Sequence, residues 1–466
     1  MGYDIAKAAK DYTEDAVNTI KRLVAIESSE GAPEPGKPFG PGPYNALQEA
    51  LKISEEMGFE TKDVDGYAGY AQIGQGEELI GIVGHMDCVP LGEGWTHDPL
   101  GGEIENGRLY GRGTSDDKGA SVAALYAMKI VNEMGMPLNK RIRFVFGTNE
   151  ETGMKGVDYY LEKEGDFDMG FTPDAGFPIC FGEKGSYHGL FSAPANTRSA
   201  KVMIDSVSGG QAVNVVCNKV VMTVTPGDYQ DQLMTAFSGY ANGNDLQFET
   251  SVDSGKLTLT LWGKAAHAST PELGINAISH LMRFIASCPL FDSPFAQGYN
   301  EVIGLSYLGE NCGMKMEDEF GNLTFNVGII NGDADNVSAT IDIRYPLTIK
   351  KNDFKALSDV MEKRFGEAGL NVYESRVGSS LYKEKDSPMV EALYKAYVDV
   401  TGDTENKPYT MGGGTYAKHF DSIVAFGAEY PGSESGAHMA DESVLISEIT
   451  SSIEIYARAL VNLLNI

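Results

Sequence analysis

The hydrophobic positions in the first part of the chain predict short buried strands joined by helices. The run Leu79–Val83 is apolar except for Gly81, and Arg141–Gly147 has the same character, as expected of strands covered on both faces. Between them, residues 120–134 are apolar on most sides and predict a central helix. A strand, a crossover helix and a second strand indicate a parallel or mixed sheet with helices on its faces.

Other segments extend this α/β pattern to both ends of the chain. A further strand is predicted at residues 68–73, and a Pro/Gly-rich loop at 30–43. Ser387 and Pro388 suit the first turn of a helix, as N-cap and first helical residue. Apolar residues at helical spacing predict helices near residues 3–26, 45–57, 387–402 and 443–464.

After about residue 185 the pattern changes to an alternation of apolar and polar residues. Such alternation is typical of antiparallel strands that expose one face. It occurs at residues 201–205, 219–225, 256–262 and 340–344, with helices expected near 275–287 and 352–366. We therefore predict a three-layer α/β domain with a mixed, largely parallel sheet from residues 1–184 and 385–466. An α+β domain with an antiparallel sheet, residues 185–384, is inserted into it.

Composition narrows the classes of function. A length of 466 residues fits two domains, and no apolar run is long enough to span a membrane. The first residues lack the layout of a signal peptide, so we expect a cytoplasmic protein. A formal net charge of −29 disfavours nucleic acid and anionic membranes as partners. Five cysteines without CxxC spacing disfavour a disulfide framework and a thiolate zinc site.

Candidate chemistry begins at the end of the strand that contains Leu79–Val83. His85 and Asp87 follow it two residues apart, so they lie on the same side if the strand continues. An imidazole with a nearby carboxylate suits a metal ion and the group that orients its ligand. These residues alone favour an ordinary strand that ends in a polar loop. The motifs downstream favour a metal site.

Further polar residues stand at comparable places. Asp116 and Asp117 precede the central helix, where they could also act as caps. Glu150 and Glu151 follow a strand and point in different directions, so one could bind metal while the other acts as a base. A solvated loop is the plain alternative. The remaining candidates, each equally an ordinary polar residue when taken alone, are Asp174, His267 and His438.

Three other reaction classes fit poorly. Asp116 replaces the third glycine of a dinucleotide-binding loop, and Glu434 stands where a nucleophile elbow needs serine. The chain also has no GxxxxGK[ST] loop for nucleotide phosphates.

Taken together and in order, five motifs resemble the co-catalytic di-zinc peptidases of the aminoacylase/carboxypeptidase-G family, and within it the PepV-type bacterial dipeptidases. The resemblance covers nearly the whole chain. The motifs are HMDCVP at 85–90, GEGWTHDP at 92–99, GRGTSDDKG at 111–119, NEETG at 149–153 and GAH at 436–438.

The resemblance implies a role for each matching residue of the α/β domain. One metal ion would be held by His85, Asp116 and Asp174, and a second by Asp116, Glu151 and His438. Zinc suits these nitrogen and oxygen ligands, as do manganese and cobalt. A hydroxide shared by the ions would attack the peptide carbonyl, with Glu150 as general base. Asp87 would orient His85 or that base.

The inserted domain matches the family's lid. His267 would stabilise the oxyanion, assisted by Asn214, although the segment after Asn214 lacks the family's usual proline. Arg344 would bind the substrate's terminal carboxylate, unless it is simply paired with an acidic neighbour. The remaining implied contacts to that carboxylate come from Gly413 and Thr415, in a segment that could equally be a plain glycine turn.

The expected activity is hydrolysis of dipeptides with a free N-terminus. A deacylase for N-acyl amino acids and a non-catalytic metal-binding protein are the alternatives. The inserted domain is about twice as long as the lid of dimeric relatives. We therefore expect a monomer in which His267 serves its own chain.

Overall fold

The computed structural model describes residues 3–466, which form two compact units. The outer unit consists of residues up to 182 together with 381–466. The inserted unit consists of residues 183–380, which form a separate compact body. Each unit has its own sheet, so each is described by itself.

Helices of the outer unit follow the predicted positions with three differences, of which one is a helix that was not predicted, Lys155–Glu164. The segment predicted as one helix over 3–26 is two, and at their junction the Thr13 hydroxyl donates to the Ala9 carbonyl, a bond that competes with the helical ladder. The next helix begins four residues early, at Pro41, because proline is tolerated in a first turn. The helices are Ile5–Asp11, Thr13–Val24, Pro41–Glu56, Lys118–Glu133, Lys155–Glu164, Pro388–Thr401 and Ile446–Leu464.

A nine-stranded mixed sheet forms the centre of the outer unit, which confirms the predicted α/β fold. Its four middle strands run parallel, and the strands toward both edges pair antiparallel. The neighbours, in spatial order, are Glu60–Val64, Ala68–Ile73, Arg141–Gly147, Leu79–His85, Met169–Thr172, Ile423–Ala425, Cys180–Glu183 and Leu381–Tyr382, with Tyr409–Met411 paired to Cys180–Glu183.

Small sheets complete the outer unit. One has three strands, Ser443–Leu445, Arg108–Tyr110 and Ile104–Glu105. The other pairs Ala175–Gly176 with Ala428–Glu429.

The parallel strands determine where polar side chains meet. Leu79–His85, Arg141–Gly147 and Met169–Thr172 all end at the same edge of the sheet. The loops that follow therefore start side by side, which is where α/β sheets bind ligands. His85, Glu150 and Asp174 stand at or just after these ends.

A second nine-stranded sheet, antiparallel throughout, forms the inserted unit, as the alternating pattern predicts. Its strands, in spatial order, are Phe248–Asp253, Lys256–Trp262, Lys219–Thr225, Met203–Gly209, Ile330–Asp333, Asn336–Tyr345, Gly185–Pro194 and Asn371–Gly378, with Thr324–Asn326 paired to Asn336–Tyr345. A two-stranded hairpin joins Glu317–Asp318 to Gly321–Asn322.

Four helices accompany this sheet: Gln230–Gly243, Ala277–Ser287, Pro294–Val302 and Lys351–Glu367. Two of them, Ala277–Ser287 and Lys351–Glu367, were predicted. Gln230–Gly243 was not, because it buries only Leu233, Phe237 and Ala241 and its sequence contains two glycines.

Residues 3–466 contain neither a membrane-spanning helix nor a disulfide bond. No helix is both long enough and apolar enough to cross a membrane. All five cysteines are buried, and none forms a disulfide.

The packing of the C-terminal helix on the central helix gives a prediction for stability. Ile453 is fully buried in the helix Ile446–Leu464, which packs against Lys118–Glu133 and other helices of the outer unit. Ile453→Ala removes buried methyl groups and leaves a cavity, so we expect a loss of about 2–5 kcal/mol in the free energy of unfolding. Urea denaturation of the full-length protein measures this loss.

The control is Ile104→Ala in the same unit, where the side chain is 49% exposed. Its expected change is within about 0.5 kcal/mol. Equal losses for the two variants would contradict the assignment of Ile453 to the core.

Candidate metal centre and active site

Five side chains that the sequence singles out lie together in the outer unit. They form two groups of potential metal ligands, and in each group the ligand atoms lie within 4.8 Å of one another. His85 and Asp174 belong to one group, and Glu151 and His438 to the other. Asp116 is common to both.

Asp116 uses its two carboxylate oxygens in different directions. Oδ1 lies 3.0 Å from His85 Nε2, and Oδ2 lies 2.9 Å from His438 Nε2. Burial alone would raise the pKa of Asp116, but its hydrogen bonds with His438 and His85 hold the pKa well below the usual range. Asp116 therefore stays ionised, with one oxygen facing each ligand group.

The orientation of His85 is set by the chain two residues later. Its Nδ1 lies 2.9 Å from the backbone carbonyl of Asp87, which can only accept, so Nδ1 carries the proton. Nε2 is then the atom turned toward the carboxylates, 3.8 Å from Asp174 Oδ2. A hydrogen bond of this kind commonly fixes the tautomer of a metal-binding histidine.

The side chain of Asp87 holds the two adjacent glutamates. Oδ1 accepts from the backbone N–H of Glu150, and Oδ2 from that of Glu151, both at 3.1 Å. Glu151 Oε2 lies 3.1 Å from His438 Nε2. Glu150 belongs to neither ligand group, although it follows the same strand.

The cluster has more negative than positive charge. Burial raises the pKa of Glu150 and of Asp174, and nearby carboxylates, Asp116 among them, raise both further. Glu151 Oε1 is buried without a hydrogen-bond partner among the described residues. Divalent cations would offset this negative charge, and Glu151 Oε1 could coordinate one of them. Zinc accepts ligands that combine imidazole nitrogen with carboxylate oxygen. The residues therefore fit metal ions.

Comparisons with known proteins agree with this geometry. The model of Peptidase family M20/M25/M40 matches residues 81–462. The protein named "Putative dipeptidase YtjP" from Bacillus subtilis is 35% identical over 460 residues, 97% of each chain. Another, "Putative dipeptidase SSP1012" from Staphylococcus saprophyticus, is 35% identical over 463 residues, 97% of this chain and 98% of the relative.

The chain belongs to peptidase family M20/M25/M40. It is a hydrolase that acts on peptide bonds.

Solved structures share the fold of this M20 peptidase. The metallo-carboxypeptidase Sso-CP2 of Sulfolobus solfataricus superposes with a TM-score of 0.60 at 17% identity, over 97% of this chain and 100% of the other. Human carnosine dipeptidase 1 has a TM-score of 0.57 at 15% identity, over 99% of both chains. At such identities these likenesses concern the fold alone.

The M20 peptidase has a further buried carboxylate, Asp117, next to the two groups of potential ligands. Asp117 Oδ2 accepts from the backbone N–H of His85 at 3.1 Å and from the Ser121 hydroxyl at 2.8 Å. A side chain at Gly84 would have its Cβ 2.6 Å from this oxygen, so the strand needs glycine there. The sequence interpretation treated Asp117 as a cap. The pairing of two acids before a buried helix was the available signal.

In the inserted unit, the structure brings Asn214 and His267 close together in neighbouring segments. The N–H of Ala268 donates to the Asn214 carbonyl at 2.8 Å, and residues 215 and 267 form a β-bridge. Desolvation lowers the pKa of His267, and the Arg344 guanidinium lowers it further. His267 is therefore a neutral imidazole near neutral pH.

Arg344 is already paired in the inserted unit. Its Nε donates to Asp342 Oδ1 at 2.8 Å and its Nη2 to Oδ2 at 3.0 Å, a two-pronged ion pair. Asp342 is fully buried. The acidic neighbour considered as an alternative is thus present.

Gly413 and Thr415 precede a short 3₁₀ helix, Tyr416–His419, in the outer unit. The Thr415 hydroxyl accepts from the backbone N–H of Ala417 at 3.1 Å and so caps that helix. A Cβ at Gly413 would touch only the sulfur of Met411, at 4.0 Å, so the space beside this backbone is open.

The two hydrogen bonds accepted by Asp87 predict the effect of an isosteric change. In Asp87→Asn one oxygen becomes an NH₂ group that faces a backbone N–H, so Glu150 or Glu151 loses its anchor. We expect turnover to fall about 10- to 100-fold. Steady-state kinetics on a peptide substrate measures it.

Asp333→Asn is the matched control, because Asp333 Oδ1 also accepts from two backbone N–H groups, those of residues 335 and 336 in a turn of the inserted unit. Its turnover should equal that of the unsubstituted enzyme. Equal turnover for Asp87→Asn as well would show that Asp87 does not position the glutamates.

Proposed function

We propose that this M20 peptidase is a dipeptidase that uses two divalent metal ions, zinc or else manganese or cobalt, to hydrolyse dipeptides with a free N-terminus. The observation that best supports this proposal is that Asp116 is shared by the two groups of potential ligands. Glu150, the proposed base, belongs to neither group. The dipeptidase names of its relatives support the substrate class.

In this proposal each ligand group holds one ion: His85 and Asp174 on one side, Glu151 and His438 on the other, with Asp116 between. When bound, the ions lower the pKa of a water molecule and polarise the peptide carbonyl.

Glu150 acts as the general base of the proposed reaction. It accepts the proton of the attacking water and returns it to the leaving amine. Its position supports this role, because Asp87 holds its backbone beside Glu151 while its carboxylate stays outside both ligand groups.

The family resemblance also implies roles for polar residues of the inserted unit. His267 is neutral and can donate a hydrogen bond to the developing oxyanion, with Asn214 beside it. The family resemblance assigns Arg344 to the terminal carboxylate of the dipeptide. It assigns backbone groups at Gly413 and Thr415, in the outer unit, to the same chemical group. These assignments extend the family resemblance and are tested by substitution.

Glu150→Gln and Glu151→Gln separate the base from the ligand. The amide of Glu150→Gln cannot accept a proton, so turnover should fall by about 100-fold or more while both ions remain bound. Glu151→Gln should lose metal as well, because a neutral amide is a weaker ligand. Turnover and metal content by elemental analysis are measured on the same samples.

Near-normal turnover in Glu150→Gln would exclude it as the base. Full metal content in Glu151→Gln would exclude that residue as a ligand. The two variants differ by one position in the same loop, so each serves as the control for the other.

Substrate preference tests the dipeptide assignment. Free dipeptides should be cleaved, whereas N-acetyl amino acids should not. Arg344→Lys keeps the charge but loses the planar fork, so it should weaken hydrolysis of free dipeptides by about 10-fold or more. C-terminally amidated analogues should be affected less.

Preferred cleavage of N-acyl amino acids would instead identify a deacylase of the same family. An equal loss of activity on free and amidated dipeptides would attribute the effect of Arg344→Lys to the broken pair with Asp342 rather than to carboxylate binding.

A further inference from the structure

Glu442 is a fully buried carboxylate that the sequence interpretation did not single out. Its Oε1 accepts backbone N–H groups from Gly113 at 3.0 Å, Ser115 at 2.9 Å and Asp116 at 3.1 Å. Its Oε2 accepts from Arg112 Nη1 at 2.7 Å. Burial raises the pKa of Glu442, and the hydrogen bonds from Ser115, Asp116 and Arg112 act against that rise. All four hydrogen-bond partners are donors, the arrangement that suits a carboxylate.

These bonds fasten the loop that carries Asp116. The N–H of Asp116 itself points at Glu442, so the carboxylate of Glu442 determines where the backbone of that residue lies. Gly113 and Ser115 are held by the same oxygen, which fixes the preceding residues as well.

The same group also fastens the loop that carries His438. Glu442 is four residues beyond His438, and its partner Arg112 donates a second bond to the Met439 carbonyl at 3.2 Å. Arg112 Nη2 reaches the Leu91 carbonyl at 3.2 Å, and the guanidinium lies 5.1 Å from the ring centre of Trp95. One buried ion pair therefore joins the two ligand-bearing loops.

The His438 loop needs such support because its backbone is strained. His438 has φ +64° and Asp441 φ +58°, in the left-handed region that side-chain-bearing residues rarely adopt. Such conformations persist only where the surroundings determine them. Glu442 follows Asp441 directly and is fully buried, and its carbonyl accepts from the backbone N–H of Gly111 at 3.0 Å.

We propose that Glu442 is a positioning residue of the metal centre, which sets the separation of Asp116 and His438 through its bonds to the 113–116 loop and to Arg112. The inference rests on the proposed two-ion site. The Asp116 Oδ2 to His438 Nε2 contact, 2.9 Å, is the contact that this clamp controls.

Calorimetric titration of metal-free protein with zinc tests the proposal, because affinity is read without turnover. In Glu442→Gln the new NH₂ group faces the Arg112 donor and the charge of the clamp is lost. The dissociation constant of the more weakly bound ion should rise about 10- to 100-fold. Circular dichroism checks the fold, and melting curves are recorded with and without zinc.

Glu448→Gln is the matched control. Glu448 also accepts a backbone N–H, that of Leu445 at 3.4 Å, and the Ser433 hydroxyl at 2.9 Å, and none of its hydrogen bonds reaches the 113–116 loop. Its zinc affinities should match those of the unsubstituted protein. If the unsubstituted protein fails to bind two ions, the proposed function is wrong, and that result is separate from any effect of Glu442.

Wild-type zinc affinities in Glu442→Gln would overturn the inference. So would an equal fall in melting temperature with and without zinc, since that is the mark of a purely structural role. If Glu442→Gln does not fold, Arg112→Gln replaces it, because it keeps the three backbone bonds of Glu442 but removes the link to Met439. A smaller loss of zinc affinity is expected there, and an unchanged affinity would also overturn the proposal.

Discussion

Repulsion among half-buried carboxylates is the constraint on which the site of the outer unit depends. Asp116, Glu150, Glu151 and Asp174 lie close together at one edge of the sheet, and the imidazoles of His85 and His438 lie among them. Backbone N–H groups fix the neighbouring carboxylates: Asp87 and Glu442 hold their loops in this way. Such dipoles orient the cluster without adding a positive charge to it. The negative charge that remains would favour the binding of divalent cations.

The order of the parallel strands explains why these carboxylates meet where the strands end. A parallel strand order brings three loops to one edge without any contact between them in sequence. The strand must also let a carboxylate approach its backbone, which is why Gly84 faces Asp117 with no room for a side chain. Both the glycine at position 84 and the order of the parallel strands are therefore needed to bring these carboxylates to the site.

Sequence reasoning predicts those parts of the molecule whose signal is local. The apolar run at Leu79–Val83 and the alternation at 219–225 each reflect the burial of one segment, and both strands are present. The five proposed ligand residues were predicted from the family resemblance that the five motifs carry, and the structure brings them together. Asp117 and Glu442 could not be found in this way. Both carboxylates accept hydrogen bonds from backbone N–H groups. Every residue except proline has such a group, so the residue types do not show where these contacts occur.

Arg344 shows how a pairing that is invisible in the sequence changes the chemistry of a recognised residue. Asp342 occupies two of its donors and offsets its charge, whereas Nη1 makes no hydrogen bond within residues 3–466. A carboxylate that binds there meets a rigid, nearly neutral pair rather than a free cation. Recognition would then depend on the direction of the remaining N–H bonds more than on net charge. In a chain of net charge −29, such directional binding is less exposed to competition from the protein's own acidic surface.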